Sequence, residues 1–340
     1  MSPTALDLIR ERCELYQDTL DWRSVAHFKP IDATSNPFIV SANLEVAHNQ
    51  QFVDDAAKYA KAQGGSLEEQ VNLAVLKTMV NLGTAAKPYL SGRVHTQLDA
   101  RIAYNTEAMV KQALKLVDLY QEAGLDKSQI AFKIPTTFQG IQACRVLEKE
   151  HGVCCNMTVL FCLQQAAASA EAGASYVSPY LNLLGRADGD PATGLANAHQ
   201  IRVYYDAHGI KTKVLGASFR TVEHAEQMSV VADAVTINAV MLEELNKKAP
   251  TKLEPLPKID SKLETTHLYT VIPFDSCANH EFIAEFLAPT SGPWLNNEGG
   301  YQWAMTMDER SCAGLVEGLR FFAAYNEQLD AKLLAKLKEN

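Results

Sequence analysis

Residues 130–160 read IAFKIPTTFQGIQACRVLEKEHGVCCNMTVL, and this stretch predicts a strand, a helix and a second strand. The apolar runs IAFKIP and VCCNMTVL have the length of buried strands. Gly152 stands just before the second run, where a helix commonly ends on a left-handed residue. Because strands joined through a helix pair in parallel, the stretch favours a parallel sheet.

The same alternation of apolar runs and amphipathic segments extends in both directions, from residue 14 to about residue 245. The eight candidate strands are CELYQ, FKPIDAT, PYLSGRV, IAFKIP, VCCNMTVL, SYVSPYL, TKVLGASF and AVTINAV. Eight strands close an α/β barrel, so we predict a (β/α)8 TIM-type barrel. A doubly wound open sheet is the rival fold, but no G-x-G-x-x-G follows the first strand.

The region from about residue 250 to residue 340 has a different character. It opens with the Pro- and Lys-rich TKLEPLPKIDSK and ends in a helical segment from Cys312 to Lys338. We predict one domain over residues 1–340, in which this region is a C-terminal helical extension packed on the barrel. The apolar piece LYTVIPFDSCANHEF within it could form a ninth strand.

Composition excludes several classes of function. A formal net charge of −9 without a basic block argues against a nucleic-acid or anionic-membrane surface. No apolar stretch approaches the roughly 20 residues of a membrane span, and the charged N-terminus MSPTALDLIRERCELY does not resemble a signal peptide. We therefore expect a cytoplasmic protein that binds neither nucleic acid nor membrane.

The seven cysteines are odd in number and scattered, which is typical of reduced, buried thiols. Adjacent Cys154 and Cys155 lack C-x-x-C spacing, and the nine histidines form no H-E-x-x-H or H-x3-H cluster. We expect no protein-bound metal.

Polar residues stand at or just after the ends of the predicted strands. Because the carboxyl ends of barrel strands meet at one face, we expect these side chains to converge there. They are Asp18, Thr34, Asn36, Gln97, Asp99, Lys133, Asn156, Thr158, Ser178, Tyr180, Ser218 and Arg220.

Lys133 is the strongest candidate for a catalytic residue, because it interrupts an apolar strand, where burying an ammonium is costly. Desolvation lowers the pKa of a lysine, and a neutral amine can attack a carbonyl to form a Schiff base. The alternative is a lysine paired with a carboxylate inside the barrel, and strand context alone does not decide between the two.

Several long segments resemble signature stretches of the transaldolase family, in the same order along the chain. They are IDATSNPFIV, GRVHTQLDARIAYN, IAFKIPTTFQGIQACRVLEKE, CCNMTVLFCLQQAAASAEAGASYVSP, VLGASFR and, near the C-terminus, EGLRFFA. The similarity spans nearly the whole chain and includes the candidate residues above.

The resemblance implies roles for individual residues. Lys133 is similar to the family's Schiff-base lysine, and Asp18 to the aspartate that exchanges a proton with the C4 hydroxyl. Thr158 is similar to the threonine that positions a water molecule during iminium formation. On residue type alone, Asp18 could equally cap a helix starting in Asp18-Thr19-Leu20-Asp21.

The remaining candidates are predicted to bind substrate. The resemblance assigns the substrate hydroxyls and the imine to Asn36, Asn156 and Ser178, and a phosphate to Ser218 and Arg220. Thr34 joins this group by its position at a strand end.

Two positions depart from the family pattern. Gln97 stands where the family has a proton-exchanging glutamate, and an amide cannot titrate in that way. Tyr180 stands where the family usually has phenylalanine and adds a hydroxyl beside the lysine. The Gln and Tyr pair resembles the related fructose-6-phosphate aldolase group, whose members use free ketone donors.

A third departure concerns phosphate binding. Leu183 falls at a position where an ungapped match to the family expects an arginine, and Arg186 could replace it only through a realigned loop. Whether the substrates are phosphorylated therefore stays open.

We thus predict a Schiff-base aldolase that joins or cleaves a ketose or small hydroxyketone donor and an aldehyde acceptor through Lys133. One alternative is an ordinary transaldolase that moves a dihydroxyacetone unit between sugar phosphates, and another is a catalytically silent relative that acts as a binding protein. No cofactor is expected, because the imine itself stabilises the carbanion. The resemblance implies a homodimer.

Overall fold

Eight parallel strands form a closed barrel, as predicted. The computed structural model describes residues 3–184, 191–253, 256 and 294–339. Each strand pairs with the next along the chain, and the eighth pairs with the first. The strands are β1 Glu14–Asp18, β2 Ala33–Thr34, β3 Val94–Gln97, β4 Ile130–Pro135, β5 Cys155–Leu160, β6 Tyr176–Pro179, β7 Lys213–Gly216 and β8 Ala234–Ile237.

The third strand does not coincide with the predicted run PYLSGRV. That run begins in a 3-10 turn at Lys87–Tyr89 with a proline in its first turn, and β3 starts only at Val94. Gly92 explains the shift, because its N–H donates to the Ile31 carbonyl at 2.8 Å and a Cβ at this position would meet Asp32 Oδ1 at 1.8 Å. The glycine turn, rather than the apolar run, brings the chain to the barrel.

The second strand is also shorter than the predicted run FKPIDAT. Phe28 ends a helix whose cap residue, Lys29, has a left-handed φ of 49°. Only Ala33 and Thr34 have strand pairing to both neighbours.

The helices surround the barrel, and their bounds are α1 Ala5–Arg12, α2 Trp22–Phe28, α3 Pro37–Asn43, α4 Gln50–Gln63, α5 Leu67–Ala86, α6 Thr106–Glu122, α7 Phe138–His151, α8 Leu163–Ala172, α9 Pro191–Ala207, α10 Val222–Met228, α11 Ala239–Leu245, α12 Glu298–Met307 and α13 Glu309–Lys338. Gly152 ends α7 with a φ of 61°, which confirms the predicted left-handed helix end. Among the described residues, no helix is both long and apolar enough to span a bilayer.

The alternation of side chains along each strand separates two cores. Outward residues of β4, such as Phe132 and Ile134, join the large cluster under the helices. Inward residues near the amino ends of the strands fill the barrel with Tyr16, Ala131, Cys154, Tyr176, Leu215 and Ala234. This closed layer forms the floor beneath the carboxyl ends of the strands, where the candidate residues lie.

The last helix, α13, crosses the outside of the barrel. Its Arg310 donates through Nη2 to the Leu181 carbonyl at 2.9 Å, and its Asn326 Oδ1 accepts from the Ala100 N–H at 3.2 Å. The predicted ninth strand LYTVIPFDSCANHEF lies outside the described residues.

Gly314 in α13 lies against the residue that follows β5. A Cβ at this position would lie 2.6 Å from the Phe161 ring, which packs edge-on against Tyr180 with the ring centroids 5.5 Å apart. Gly314→Ala should therefore lower the free energy of unfolding by about 1–3 kcal/mol, although alanine is the better helix former.

Denaturant unfolding measures this effect. Val316→Ala, at an exposed position of the same helix, is the control and should change the free energy of unfolding by less than about 0.5 kcal/mol. A Gly314→Ala variant as stable as the parent would contradict this account of the contact.

Candidate active site

Lys133 lies inside the barrel in the middle of β4. Its strand neighbours in register are Gln97 of β3 and Asn156 of β5, and it is only 3% exposed. Side chains at paired positions of parallel strands point to the same face. The amine is therefore flanked by two amide side chains.

Burial lowers the pKa of Lys133, and the charge of Asp18 opposes this shift only in part. In the parts of the chain that the structure describes, lysine ion pairs involve Lys58, Lys213, Lys247, Lys248, Lys332 and Lys336, and Lys133 is not among them. The geometry thus favours the neutral amine over the salt-bridged interpretation of this residue.

Asp18 ends β1 and accepts a hydrogen bond of 2.6 Å from the Thr34 hydroxyl. Since that hydroxyl has one hydrogen, the Thr236 hydroxyl, 2.7 Å away, must donate to Thr34. Burial raises the pKa of Asp18, while the charge of Lys133 and the Thr34 hydrogen bond oppose the rise. The N-cap of α2 is Asp21, so the helix-capping alternative for Asp18 is wrong.

Thr158 and Tyr180 form the next polar pair. The Thr158 hydroxyl donates to the phenolic oxygen of Tyr180 at 3.1 Å. Burial raises the pKa of Tyr180, the Thr158 hydrogen bond lowers it, and the charge of Asp18 raises it further. The phenol therefore stays protonated and can donate a proton into the barrel.

The backbone after Thr158 is irregular. Val159 has a φ of 57°, which is costly for a β-branched residue, and the register between β5 and β6 shifts between Met157 and Leu160. The Val159 carbonyl accepts from the Thr136 hydroxyl at 2.9 Å. Such bulges re-aim neighbouring side chains, here at the position that follows Thr158.

Asn156 belongs to a buried chain of hydrogen bonds. Its Oδ1 accepts from the Ser178 hydroxyl at 2.7 Å, and its Nδ2 lies 3.1 Å from His95 Nδ1. The other ring nitrogen of His95 lies 2.8 Å from Asp32 Oδ2, and the Arg93 N–H donates to the same carboxylate.

Gln97 is 2% exposed, and neither atom of its side-chain amide has a hydrogen-bond partner within the described ranges. Leaving a buried amide without partners costs roughly 1–3 kcal/mol. An amide in this state, beside Lys133, is suited to orient a water molecule or a substrate hydroxyl.

The other candidates occupy loops at the rim of the site. Asn36 caps α3 by accepting from the Ile39 N–H at 3.0 Å. Ser218 donates to the Asn182 carbonyl at 2.9 Å, and the exposed Arg220 donates to the Leu183 carbonyl at 2.8 Å. The rim after β7 is thereby fastened to the loop after β6.

Two further candidates remain. Asp99 caps a 3-10 turn and pairs with Arg101 at 2.6 Å, and its convergence with the site stays a prediction. Arg186 lies outside the described residues.

Among the described residues, one group of three side chains could in principle bind a metal ion. The ligand atoms of Cys144, Glu148 and Cys155 lie within 4.8 Å of one another. Glu148 Oε1 already accepts the N–H groups of Cys155 and Ser175 at 2.7 and 2.8 Å. Burial raises the pKa of the Cys155 thiol well above its usual value, which opposes metal binding. Cys144 and Cys155 pack with the outer core, on the other side of the sheet from Lys133.

Residue-by-residue reading of the sequence missed His95, Asp32 and Thr236. The sequence did contain a signal for Asp32 and His95, because each stands two residues before a candidate residue. Asp32 precedes Thr34 by two positions, and His95 precedes Gln97 by two positions. Residues two apart on a strand share a face. Thr236 offered no signal beyond its place in the last strand.

Comparison with known proteins agrees with this geometry. A family model described as Transaldolase/Fructose-6-phosphate aldolase matches residues 15–280. The chain belongs to this family. Transaldolases of Sus scrofa and Alteromonas mediterranea are 33% and 34% identical to it, over 98% and 97% of this chain and 94% and 97% of theirs. The transaldolase of Homo sapiens is 31% identical over 98% of the chain and 94% of its own length.

Membership confirms the resemblance drawn from the sequence. The chain is a Schiff-base enzyme of the class I aldolase and transaldolase type. The catalytically silent alternative is not favoured.

Thr34→Val should destabilise the folded protein by about 1–3 kcal/mol at neutral pH, because it removes a donor from the partly buried Asp18 carboxylate. The loss should shrink as the pH falls. A carboxyl whose pKa is raised in the folded state binds its proton more tightly there, so acid relieves the cost of burying the charge.

Urea unfolding at several pH values measures this dependence. Thr78→Val is the control, because that hydroxyl donates to the uncharged Ala74 carbonyl within α5. Equal destabilisation of Thr34→Val across the whole pH range would contradict a charged partner.

Proposed function

We propose that this enzyme catalyses aldol addition and cleavage between a ketone donor and an aldehyde, with Lys133 as the Schiff-base residue. The observation that carries the proposal is a fully buried amine without an ion pair in the described chain, placed between Gln97 and Asn156. A neutral amine in this position can attack a carbonyl, which an ammonium cannot.

The reaction begins when Lys133 Nζ adds to the donor carbonyl. The resulting carbinolamine loses its hydroxyl as water and leaves a cationic iminium, and the proton for that water comes through the Thr158 and Tyr180 pair. Gln97 orients the water molecule that relays this proton. Since an amide neither gains nor loses a proton at ordinary pH, Tyr180 donates the proton that a glutamate at position 97 could otherwise donate.

Asp18 controls the carbon–carbon bond. As a carboxylate it takes the proton from the hydroxyl two carbons from the iminium carbon. The bond between the hydroxyl-bearing carbon and the carbon next to the iminium carbon then breaks, and an aldehyde leaves. The bonding electrons pass to the iminium, which becomes an enamine. In the direction of synthesis the enamine attacks an aldehyde, and Asp18 returns the proton to the new alkoxide.

Polar side chains around the lysine hold the substrate. We propose that Asn156, Ser178 and Thr34 contact donor hydroxyls and the imine from within the barrel, and that Asn36 does so from the rim with the part of its amide that does not cap α3.

Gln97 and Tyr180 favour simple aldol chemistry over transfer of a dihydroxyacetone unit. Transfer requires the enamine to persist until the second aldehyde arrives. Release instead requires a proton to add to the enamine carbon, which regenerates the iminium, and water to hydrolyse that iminium to the free ketone and the Lys133 amine. A Tyr180 hydroxyl within 3.1 Å of Thr158 supplies a second proton donor for that hydrolysis.

Sugar phosphates are the substrate class that the transaldolase relatives suggest. We propose that Ser218 and Arg220 contact a phosphate at the rim, since an arginine fork suits a phosphate oxyanion. Arg220 already donates to the Leu183 carbonyl, at the position where a second arginine would otherwise stand. The phosphate contact is therefore weaker, and unphosphorylated hydroxyketones are accepted as donors.

The same chemistry needs no metal or organic cofactor, because the iminium withdraws the electrons. We further propose that residues 1–340 act as one domain, with the extension from about residue 250 packed on the barrel, in a cytoplasmic homodimer.

Borohydride with dihydroxyacetone, or with fructose 6-phosphate, should attach the donor irreversibly at Lys133, because reduction of the imine leaves a stable secondary amine. Peptide mass spectrometry locates the adduct. Lys133→Ala should lose the adduct and at least about 10³-fold of the activity.

Lys213→Ala is the matched control, since this lysine of β7 is ion-paired with Glu14 at 2.7 Å and should not be modified in the parent. Absence of any adduct at Lys133 with a panel of ketoses and hydroxyketones would overturn the proposed mechanism.

Gln97→Glu should raise the ratio of transfer to ketone release about tenfold, because a titratable group then competes with Tyr180 for the catalytic water. The ratio is measured with fructose 6-phosphate as donor and erythrose 4-phosphate as acceptor. Gln63→Glu, at the exposed end of α4, adds the same charge far from the barrel and should leave the ratio unchanged.

The rates of transfer and of ketone release by the parent enzyme distinguish the aldolase from the ordinary transaldolase. Release of free dihydroxyacetone faster than transfer supports the aldolase. Transfer much faster than release would instead support the alternative function as an ordinary transaldolase.

A further inference from the structure

His95 is a buried histidine that the proposed mechanism does not use. It is fully buried on β3, and its ring packs against the rings of Tyr16 and Tyr176 with centroid distances of 5.8 and 5.0 Å. Its two ring nitrogens face two different groups, Asp32 and Asn156. The ring is therefore held in one orientation between a carboxylate and an amide.

Asp32 determines which ring nitrogen carries the hydrogen. Its two oxygens accept from the Arg93 N–H at 2.6 Å and face His95 Nε2 at 2.8 Å. Burial works to raise the pKa of Asp32, but the hydrogen bond from His95, together with the hydrogen bond and charge of Arg93, holds it below its usual value. A carboxylate can only accept, so Nε2 carries a hydrogen and donates it.

The other ring nitrogen of His95, Nδ1, lies 3.1 Å from Asn156 Nδ2. An amide nitrogen can only donate, so Nδ1 accepts and the ring carries its hydrogen on Nε2. The NH2 group of Asn156 thus faces His95, and its carbonyl oxygen faces the Ser178 hydroxyl at 2.7 Å.

Ser178 could not impose this orientation by itself. A serine hydroxyl donates or accepts equally well, so it would satisfy the Asn156 amide in either of its two orientations. Of the two hydrogen-bond partners of this amide in the described chain, only His95 distinguishes the oxygen from the nitrogen.

We propose that Asp32 and His95 are positioning residues that lock the Asn156 amide with one N–H directed to the adduct on Lys133. The inference rests on the proposed function, in which Asn156 contacts the donor. Asn156 and Lys133 are paired residues of β5 and β4, and the contacts to His95 and Ser178 use one N–H and the carbonyl oxygen. The second N–H remains to donate to an oxygen of the carbinolamine or of the bound donor.

Two substitutions of His95 separate its two hydrogen bonds. His95→Gln can still donate to Asp32 from the position of Nε2, but it offers no acceptor where Nδ1 stood. His95→Asn places a carbonyl oxygen near the position of Nδ1 and gives up the contact to Asp32.

His95→Gln should lower kcat by about 10–100-fold, with KM changed less than about threefold, because misplacement of one contact to the reacting group acts on the chemical steps. His95→Asn should recover most of this loss. Equal loss in both variants would overturn the proposal, because it would show that the acceptor facing Asn156 is not what matters.

Asp32→Asn tests the origin of the orientation. With its carbonyl oxygen retained by the Arg93 N–H, the new amide presents NH2 to His95 and shifts the ring hydrogen from Nε2 to Nδ1. The Asn156 amide must then turn over. We expect kcat to fall as far as in His95→Gln, and 15N NMR of the histidine ring to report the hydrogen on Nε2 in the parent and on Nδ1 in Asp32→Asn.

Tyr176→Phe is the matched control. It removes a hydroxyl that accepts from Arg93 at 3.1 Å and lies 3.5 Å from Asp32, but it keeps the ring that packs on His95. Its kcat should stay within about threefold of the parent. A loss equal to that of His95→Gln would overturn the proposal, because it would indicate general loosening of the barrel floor.

Borohydride trapping of the parent separates failure of this inference from failure of the proposed function. If the parent forms no adduct at Lys133, the proposed function fails and the positioning role fails with it. If the parent is trapped normally but His95→Gln has the kcat of the parent, or the parent ring carries its hydrogen on Nδ1, only the positioning role is wrong.

Discussion

The chemistry of this site depends on one side-chain amine, that of Lys133, being buried away from water. Lys133 lies in a barrel that is closed by eight strands and filled from below by aromatic and aliphatic side chains. Burying an ammonium in such a place is costly, and the cost falls when the group gives up its proton. The fold thus favours the chemical form of lysine that reacts with carbonyl compounds, and the family to which the chain belongs uses that reactivity.

The residues around the lysine form separate hydrogen-bonded groups on different strands. Thr236 donates to Thr34, which donates to Asp18, and Thr158 donates to Tyr180. A third group runs from Asp32 through His95 to Asn156 and Ser178. Each group joins side chains from different strands, so the strand register positions it. Gln97, which has no such partner in the described chain, is the side chain best placed to respond to a bound molecule.

The outer helices contribute to the same arrangement. Arg310 of α13 holds the carbonyl of Leu181 just after β6, and Gly314 allows the helix to rest on Phe161, whose ring contacts Tyr180. The C-terminal helix therefore supports the Tyr180 phenol through the Phe161 ring.

The barrel could be predicted from sequence because apolar runs of strand length recur with helical segments between them. The bounds of β2 and β3 could not, because they depend on tertiary contacts: Gly92 fits against Asp32, and Lys29 ends α2 in a left-handed conformation. Lys133 stood out as a charge in an apolar strand. His95 did not, since a histidine in a strand has no distinctive pattern until its partners on other strands are known.

The most direct test of the central claim is the titration of the Lys133 amine in the ligand-free enzyme. In protein labelled with 15N at the lysine side chains, the Nζ resonance that disappears in Lys133→Met identifies the residue, and its chemical shift against pH gives its pKa. We predict a pKa below the ordinary lysine value, with the neutral amine present in the range where the enzyme works. An amine that stays charged up to about pH 10, as a solvated lysine does, would contradict the account.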